Sequence, residues 1–207
     1  MLDIGAWVLE EACRHAAEWW RRWPERRLGI AVNLSNRQLL TGDILGIVRG
    51  ALERSGLPAD MLTLEVTETA LIDDTVGGVD ALLRELRSLG VNLSLDDFGT
   101  GYSSLTFLNT FPINIIKIDR SFVKAIGTEH EDTAIMAAVI AFAKNLNLRV
   151  VAEGVENHVQ LSKLLELGCP YMQGYLFSHP RSIDDVPALI GAAPLAHWLA
   201  ETAGAPD

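Results

Sequence analysis

The sequence predicts an α/β fold in which parallel strands alternate with helices. Six short runs rich in apolar and β-branched residues alternate with longer segments whose apolar residues recur every three or four positions. Such alternation implies right-handed crossovers that place helices on both faces of a parallel sheet. The chain has 207 residues, 49% hydrophobic and 21% charged. This composition excludes disorder as a description of the whole chain and favours one domain with a packed core.

The first half of the chain begins with a helix over residues 4–23, in which apolar residues recur every four positions and which Pro24 helps to end. The elements predicted after it are a strand over 28–33, a helix capped by Ser35 that runs to about residue 54, a strand over 62–66, a helix over 74–89 and a strand over 91–96.

The second half starts with a loop rich in glycine and serine, in which Ser103 and Ser104 are expected to cap a short helix. The elements predicted after it are a strand over 113–118, a helix over 131–146, a strand over 149–152, a helix over 157–167, a strand over 171–174 and a last helix near 184–199. The tail from residue 200 onward is expected to be frayed.

The charge balance and the apolar runs exclude several classes of protein. There are 27 acidic and 17 basic residues, a net charge of −10, which argues against non-specific binding to nucleic acid or to anionic membranes. The longest apolar run, residues 134–143, is well short of the roughly 20 residues that cross a bilayer. With no signal-peptide pattern at the N-terminus, a cytoplasmic location is expected. Cys13 and Cys169 are expected to be reduced core residues, and the histidines form no zinc pattern.

Polar residues follow nearly every predicted strand. They are Asn33, Glu65 with Glu68, Asp96 with Asp97, Lys117 with Asp119, Glu153 with Glu156, and Gln173. The carboxyl ends of parallel strands converge on one face of such folds, so these side chains are expected to meet. Any one of them alone is better explained as a strand end that faces solvent. Together they favour a common site.

Four of these residues carry carboxylates, namely Glu65, Asp96, Asp97 and Glu153. Brought together, they would repel one another unless cations or protons neutralised them. Oxygen ligands without histidine or cysteine favour Mg²⁺, Mn²⁺ or Ca²⁺ over zinc or copper. The adjacent aspartates further favour two ions, since one carboxylate can bridge metals roughly 3.5–4 Å apart, the arrangement used for displacement at phosphate.

Two local motifs in this region have weak support. Residues Asp97-Phe98-Gly99 match the magnesium-binding triplet of protein kinases, but the other kinase motifs are missing. Gly99 and Gly101 resemble part of a dinucleotide-binding fingerprint whose third glycine position is Ser104. Neither a kinase nor a dinucleotide-binding protein is therefore favoured.

The chain resembles the EAL domains, the cyclic di-GMP phosphodiesterases of bacterial second-messenger signalling, over roughly residues 2–190. The resemblance rests on six motifs in family order: Asn33-Leu-Ser35, Leu64-Glu-Val-Thr-Glu68, Asp96-Asp-Phe-Gly-Thr-Gly-Tyr-Ser-Ser-Leu105, Lys117-Ile-Asp119, Glu153-Gly-Val-Glu156 and Gln173-Gly-Tyr175. It implies a modified (β/α)₈ barrel of the TIM type that hydrolyses cyclic di-GMP to linear pGpG with two Mg²⁺ or Mn²⁺ ions.

The resemblance also implies a role for each motif residue. Asn33, Glu65 and Asp96 would hold one metal ion, and Asp96, Asp97 and Glu153 would hold the other. Lys117 would lie near the attacking water, so that Lys117, Glu153 and Asp97 are the expected catalytic residues. Supporting or substrate-binding roles fall to Glu68, which would anchor the loop that carries Asp97, and to Asp119, Glu156 and Gln173.

The sequence departs from the family pattern at its start. The family's first motif, E-x-L-x-R, supplies a metal ligand and a substrate-binding arginine, and no such motif occurs at a suitable place here. The domain is therefore expected to span residues 1–192 without about the first two barrel strands, followed by a helix end and frayed tail over 193–207. Smaller departures are Asn114, where the family usually has aspartate, and His179, where a basic residue is common.

Alternative functions stay open beside the phosphodiesterase. A degenerate EAL module could bind cyclic di-GMP or a protein partner without cleaving it, and the residues alone leave open a different metal-dependent barrel enzyme acting on a small phosphorylated substrate. The expected partner is cyclic di-GMP, with no DNA or RNA and no membrane span in this chain. A homodimer is a candidate assembly, and the resemblance implies fusion to, or partnership with, sensory or GGDEF domains.

Overall fold

The computed structural model describes residues 2–72, 78–99, 108, 110–128 and 133–191. The chain divides into two compact units. The first comprises residues 1–117 with 147–149, and the second comprises 118–146 with 150–207. The prediction of a single domain over 1–192 stays a prediction.

The first unit contains four parallel strands and five helices within its described residues. They are α1 (Leu2–Arg22), β1 (Ile30–Asn33), α2 (Asn36–Thr41), α3 (Ile44–Ser55), β2 (Leu62–Thr67), α4 (Glu68–Ile72), α5 (Val79–Ser88), β3 (Asn92–Phe98) and β4 (Ile115–Ile118), with 3₁₀ turns at Pro24–Arg26 and Ala59–Met61. The strands lie in the order β1-β2-β3-β4, so each is hydrogen-bonded to its neighbour in sequence. The last residue of β4 falls in the second unit.

The core of the first unit lies between one face of this sheet and the helices. Leu64 of β2 and Leu93 of β3 are paired in register and are fully buried. Helix α1 packs on α3 and β1 through a stripe that includes the buried residues Leu9 and Cys13. Burial of this kind contributes roughly 25 cal/mol per Å² of apolar surface. The predicted helix is confirmed, but the four-residue series of apolar residues that predicted it begins with Ile4 and Val8, which are exposed, whereas the stripe that faces the core includes Leu9 and Cys13.

The part of the second unit that the structure describes contains helices and two parallel strands. Its elements are α6 (Arg120–Lys124), α7 (Ala134–Asn145), β5 (Arg149–Glu153), α8 (His158–Glu166), β6 (Tyr171–Gln173) and α9 (Val186–Gly191), preceded by a 3₁₀ turn at Ile183–Asp185. Strands β5 and β6 pair in register from Val151 opposite Tyr171 to Glu153 opposite Gln173. The first residue of β5 is counted with the first unit.

The predicted helix from Ser35 to about residue 54 is wrong as a single element. Ser35 caps α2 as expected, with its Oγ accepting from the backbone N–H of Gln38. Gly42 then takes an extended conformation, and Asp43 caps a second helix by accepting from Gly46 N–H at 3.0 Å. An extended residue cannot continue the helical ladder, and aspartate offers the next helix a side-chain acceptor, so the chain bends at this pair.

Other boundaries differ in smaller ways. Strand β3 runs through both aspartates to Phe98 instead of ending at residue 96, and β4 begins at Ile115 instead of 113. The short helices α4 and α6 were not predicted, because five residues are too few to show a helical period. The predicted elements over 74–77, 100–107, 129–132 and 192–207 lie outside the described residues.

Asn114 joins the start of β3 to the residue before β4. Its Oδ1 accepts from Leu93 N–H at 2.8 Å and its Nδ2 donates to Asn92 Oδ1 at 2.7 Å. An ionised aspartate could accept but not donate. Asparagine at this position therefore gives the starts of β3 and β4 one more hydrogen bond than an aspartate would.

Cys13 and Cys169 are both buried and neither forms a disulfide, which confirms the prediction of reduced core cysteines. Burial raises the pKa of the Cys13 thiol to about 11, so that the thiol is neutral at physiological pH. None of the helices within the described ranges combines the length and apolar character that crossing a bilayer requires.

Candidate functional site

The sheet of the first unit has one polar face. Asn33 of β1 lies opposite Glu65 of β2, and Thr67 of β2 lies opposite Asp96 of β3. Residues paired in a parallel ladder point to the same face, and every second residue of a strand returns to it. Asn33, Glu65 and Asp96 therefore share a face, as the sequence predicts for strand-end polar residues. The opposite face carries the apolar core.

Lys117 connects two of these carboxylates. Its ammonium Nζ donates to Glu65 Oε2 at 3.0 Å and lies 3.1 Å from Asp96 Oδ1. The side chains are 7% exposed for Lys117, 10% for Glu65 and 14% for Asp96, so all three charges are largely removed from water. Buried charges persist only when they are paired, and removing one partner of such a pair typically costs about 3–5 kcal/mol. This cluster is the polar centre of the first unit.

The end of β3 has an unusual backbone. Asp97 has a φ of 55°, in the left-handed region that glycine, asparagine and aspartate tolerate best. Its N–H donates to Asp96 Oδ1 at 3.1 Å. In a regular strand two consecutive side chains point to opposite faces, and the left-handed residue interrupts this alternation. Asp96 is partly buried and Asp97 is exposed.

Ser94 belongs to the same face and was missed by the sequence analysis. It pairs in register with Glu65, is fully buried, and its Oγ has no hydrogen-bond partner among the described residues. The signal was present in the sequence, because residues 92–96 alternate strictly between polar and leucine side chains. A buried hydroxyl beside a charged pair is a polar group available to whatever binds there.

Glu68 lies at the start of α4, directly after β2, and is 5% exposed. The resemblance to EAL domains implies that Glu68 anchors the loop that carries Asp97. Residues 100–107 of that loop lie outside the described residues. The supporting role of Glu68 therefore stays a prediction, and its burial agrees with a role in positioning other residues.

The second unit brings Glu153 and Gln173 together. They are paired at the ends of β5 and β6, and Val155 N–H donates to Gln173 O at 3.1 Å. Leu176 N–H in turn donates to Val155 O at 3.0 Å. At Gly174 a Cβ would overlap the backbone of Val155, so only glycine fits this contact. The turn after β6 is thus held by hydrogen bonds and close packing against the segment that follows Glu153.

Asp119 and Glu156 flank helices of the second unit. The Asp119 carboxylate caps α6 by accepting from Ser121 N–H at 2.9 Å. Glu156 is exposed, and its backbone N–H donates to Gln160 Oε1 at 2.7 Å within the cap of α8. The Asp119 side chain thus has a structural function here, whereas Glu156 joins its cap through the backbone, and the substrate-binding or supporting roles predicted for both stay predictions.

The pKa of Asp119 lies below its ordinary value. Burial alone would raise the pKa, but hydrogen bonds from Ser121 and from the Arg120 backbone outweigh it. A carboxylate whose pKa is lowered by folding contributes stability above its unfolded pKa, and that contribution is lost as the pH falls through the folded pKa.

We therefore expect Asp119→Asn to be less stable than the parent at pH 7 by about 0.5–1 kcal/mol, since asparagine can still cap the helix but has no charge to interact with its dipole. The difference should shrink as the pH is lowered, because the parent carboxylate becomes protonated. Urea unfolding over a pH series measures it, with the exposed Asp184→Asn as the control. A difference that stayed constant with pH would contradict the charge argument.

The donors on the polar face are chemically uniform. Asn33, Glu65 and Asp96 offer an amide oxygen and carboxylate oxygens, without a thiolate or imidazole among them. Hard divalent cations such as Mg²⁺ and Mn²⁺ prefer this donor set. The residues present therefore fit the ions that the sequence analysis predicts.

Comparisons with known proteins give one consistent result. The family model described as EAL domain matches residues 1–180. Cyclic di-GMP phosphodiesterase NbdA of Pseudomonas aeruginosa is 49% identical over 184 residues, which are 87% of this chain and 23% of the relative. The bifunctional diguanylate cyclase/cyclic di-GMP phosphodiesterase MucR of the same organism is 40% identical over 190 residues, 92% of this chain and 27% of that protein.

Solved structures agree with the sequence comparison. The PaMucR phosphodiesterase in complex with c-di-GMP matches with a TM-score of 0.82 and 41% identity, covering 89% of this chain and 74% of that chain. Klebsiella pneumoniae BlrP1, solved at pH 9.0 with manganese and c-di-GMP, matches with a TM-score of 0.73 and 33% identity, covering 84% of this chain and 45% of that chain. The predicted fold class is confirmed. The chain spans about a quarter of the length of the curated relatives it matches, 23% of NbdA and 27% of MucR.

Proposed function

We propose, because this chain belongs to the EAL domain family, that it binds cyclic di-GMP and contributes the catalytic face of a domain that hydrolyses one phosphodiester bond to give linear pGpG. The observation that carries the proposal is the buried cluster of Glu65, Lys117 and Asp96 on the polar face of the sheet. A relative named as a cyclic di-GMP phosphodiesterase is 49% identical to this chain. Together with that relative, the buried charged cluster supports a catalytic function over ligand binding alone.

We assign two cations, Mg²⁺ or Mn²⁺, to the carboxylates. Asn33, Glu65 and Asp96 would hold one, and Asp96, Asp97 and Glu153 would hold the other. The oxygen-only donors support this assignment, as does the manganese in the BlrP1 complex. When bound, such cations supply the Lewis acidity that makes a water nucleophilic and that offsets negative charge developing on phosphate.

The other residues would position the reactants. The Lys117 ammonium carries a fixed positive charge into the polar face, where it can orient a water or a phosphate oxygen by donating hydrogen bonds. Gln173, held beside Glu153 at the ends of β6 and β5, would contact substrate. Glu68 would hold the segment after β3. Asp119 and Glu156 would support this arrangement through the helix caps in which they take part.

A second candidate function is a binding module that retains cyclic di-GMP without cleaving it. The observation that favours it is that the sequence contains no E-x-L-x-R pattern, which in the family carries a metal ligand and a substrate-binding arginine. A cytoplasmic location, a homodimer and attachment to sensory or GGDEF domains also stay proposals, the last supported by the bifunctional name of the MucR relative.

We expect residues 1–207 alone to hydrolyse cyclic di-GMP at least roughly a hundredfold more slowly than a version extended at its N-terminus by an E-x-L-x-R segment. The reason is that one metal ligand fewer weakens the binding of a cation that the reaction needs. The measurement is the rate of pGpG formation followed by chromatography with Mn²⁺ in excess. Calorimetry with cyclic di-GMP, run on the same two proteins, measures binding separately from turnover.

The outcomes separate the candidate functions. Turnover in the extended version with binding in both supports the phosphodiesterase. Binding in both with turnover in neither supports the binding module. Equal turnover in both would contradict the proposed contribution of the missing segment and would mean that another residue supplies the ligand.

A further inference from the structure

Lys117 contacts one oxygen of each of two carboxylates that are proposed to bind a cation. Its Nζ lies 3.0 Å from Glu65 Oε2 and 3.1 Å from Asp96 Oδ1. A carboxylate lone pair that accepts an ammonium proton is not available to a metal ion at the same time. From this geometry we propose that Lys117 sets the affinity of the site for divalent cations by competing for these oxygens. The inference rests on the proposed cation binding and deepens it.

The ammonium cannot leave the site easily. All four residues of β4 are buried, with Ile116 fully buried and Ile118 2% exposed on either side of Lys117. The lysine side chain is itself only 7% exposed. Its four-carbon stem is therefore enclosed, and moving the charge to solvent would require the strand to move. A cation that binds here meets a positive charge that stays close to it.

Charge repulsion in this setting is strong. Two positive charges a few ångströms apart interact far more strongly at the low effective dielectric of a protein interior than in water. A lysine at this position therefore lowers cation affinity while keeping Glu65 and Asp96 in place and compensated. The expected consequence is that bound divalent cations exchange with those in solution, and that the occupancy of the site depends on the cation concentration.

If Lys117 competes with the cation, its neutral replacement should change the affinity for Mn²⁺, which a role in packing alone would not do. If Lys117 acted only through the packing of its aliphatic stem, its removal would lower stability and leave cation affinity unchanged. If it competes, its neutral replacement should bind Mn²⁺ roughly tenfold to a hundredfold more tightly. The charge-retaining Lys117→Arg should stay near the parent affinity, because the positive charge remains.

The experiment compares Mn²⁺ binding to the full 207-residue chain and its variants by paramagnetic resonance of unbound Mn²⁺, with calorimetry as a second readout. The variants are Lys117→Met, Lys117→Arg and the control Lys124→Met, which removes one exposed positive charge at the end of α6. Circular dichroism first establishes that each variant is folded. Should Lys117→Met fail to fold, Lys117→Gln gives the same comparison while keeping a neutral donor for the carboxylates.

Tighter Mn²⁺ binding in the neutral Lys117 variant, with the Lys117→Arg and Lys124→Met variants near the parent, is the expected result. Equal or weaker binding in the neutral variant, with the parent still binding Mn²⁺, overturns the competition and leaves the proposed cation site intact. No Mn²⁺ binding by any of the proteins at millimolar concentration overturns the cation site itself, and the inference with it.

Discussion

Replacing Asp96 by asparagine is expected to abolish Mn²⁺ binding at the polar face. In a version extended through the E-x-L-x-R segment, the same replacement is expected to lower the rate of cyclic di-GMP hydrolysis by more than about a thousandfold. Asp96 is the one residue proposed to ligate both cations, and it also accepts from Lys117 and from Asp97 N–H. Asparagine keeps the shape of the side chain and removes its charge. Losing a shared ligand should therefore weaken both ions at once.

The measurements are Mn²⁺ binding to the 207-residue chain and kcat for pGpG formation in the extended version. The matched control is Asp60→Asn, which removes a carboxylate from an exposed surface pair with Arg27. Surface pairs of this kind contribute about 0–1 kcal/mol, so the control should keep its stability and its activity. An Asp96→Asn protein that bound Mn²⁺ and turned over normally would disprove the assignment of Asp96 to the metal site.

A second large effect is expected from Gly174→Ala. The added Cβ would overlap the backbone of Val155, which cannot move aside as a flexible side chain could. We expect a loss of about 1–3 kcal/mol or more in the free energy of unfolding, as for overpacked sites generally. Because the same contact aligns the ends of β5 and β6, Glu153 and Gln173 should shift and hydrolysis should fall at least roughly tenfold.

Gly78→Ala provides the control for that experiment. The residue precedes α5 with a φ of −97°, and a Cβ added there meets no atom of the described residues within 4 Å. Urea unfolding of the two variants should therefore differ clearly, with Gly78→Ala close to the parent. Indistinguishable unfolding curves would show that the turn after β6 relaxes around the extra methyl group.

Local pattern predicted much of the first unit correctly. The predicted strand over 62–66 is observed as β2, with Glu65 on the polar face of the sheet. The prediction succeeds because burial of one sheet face makes apolar and polar residues alternate along the strand. For Asp119 the structure adds a local function beside the predicted supporting role, which stays a prediction. Asp119 follows a strand as the metal-site candidates do, but the donor two residues later, Ser121 N–H, uses its carboxylate as a helix cap.

The sequence predicts that the strand-end side chains meet, but two details of the site depend on tertiary structure. The contact between Lys117 and Glu65 joins residues 52 positions apart, so no local pattern carries it. The left-handed backbone of Asp97 breaks the alternation that the strand pattern assumes. The helix boundary at Gly42 and Asp43 was visible as a turn-forming pair, but the apolar period on both sides of it suggested one continuous helix.

The register of β2 and β3 has a consequence for folding fidelity. Glu65 lies opposite Ser94, and a slip of one residue would place Leu93 or Leu95 beside the glutamate and turn the aspartate toward the apolar core. A misaligned sheet would thus bury an uncompensated charge, whereas the native alignment lets one lysine satisfy two carboxylates. The charged cluster consequently disfavours wrong strand alignments. Neutralising all of its members at once should yield chains that still collapse but populate more than one strand alignment.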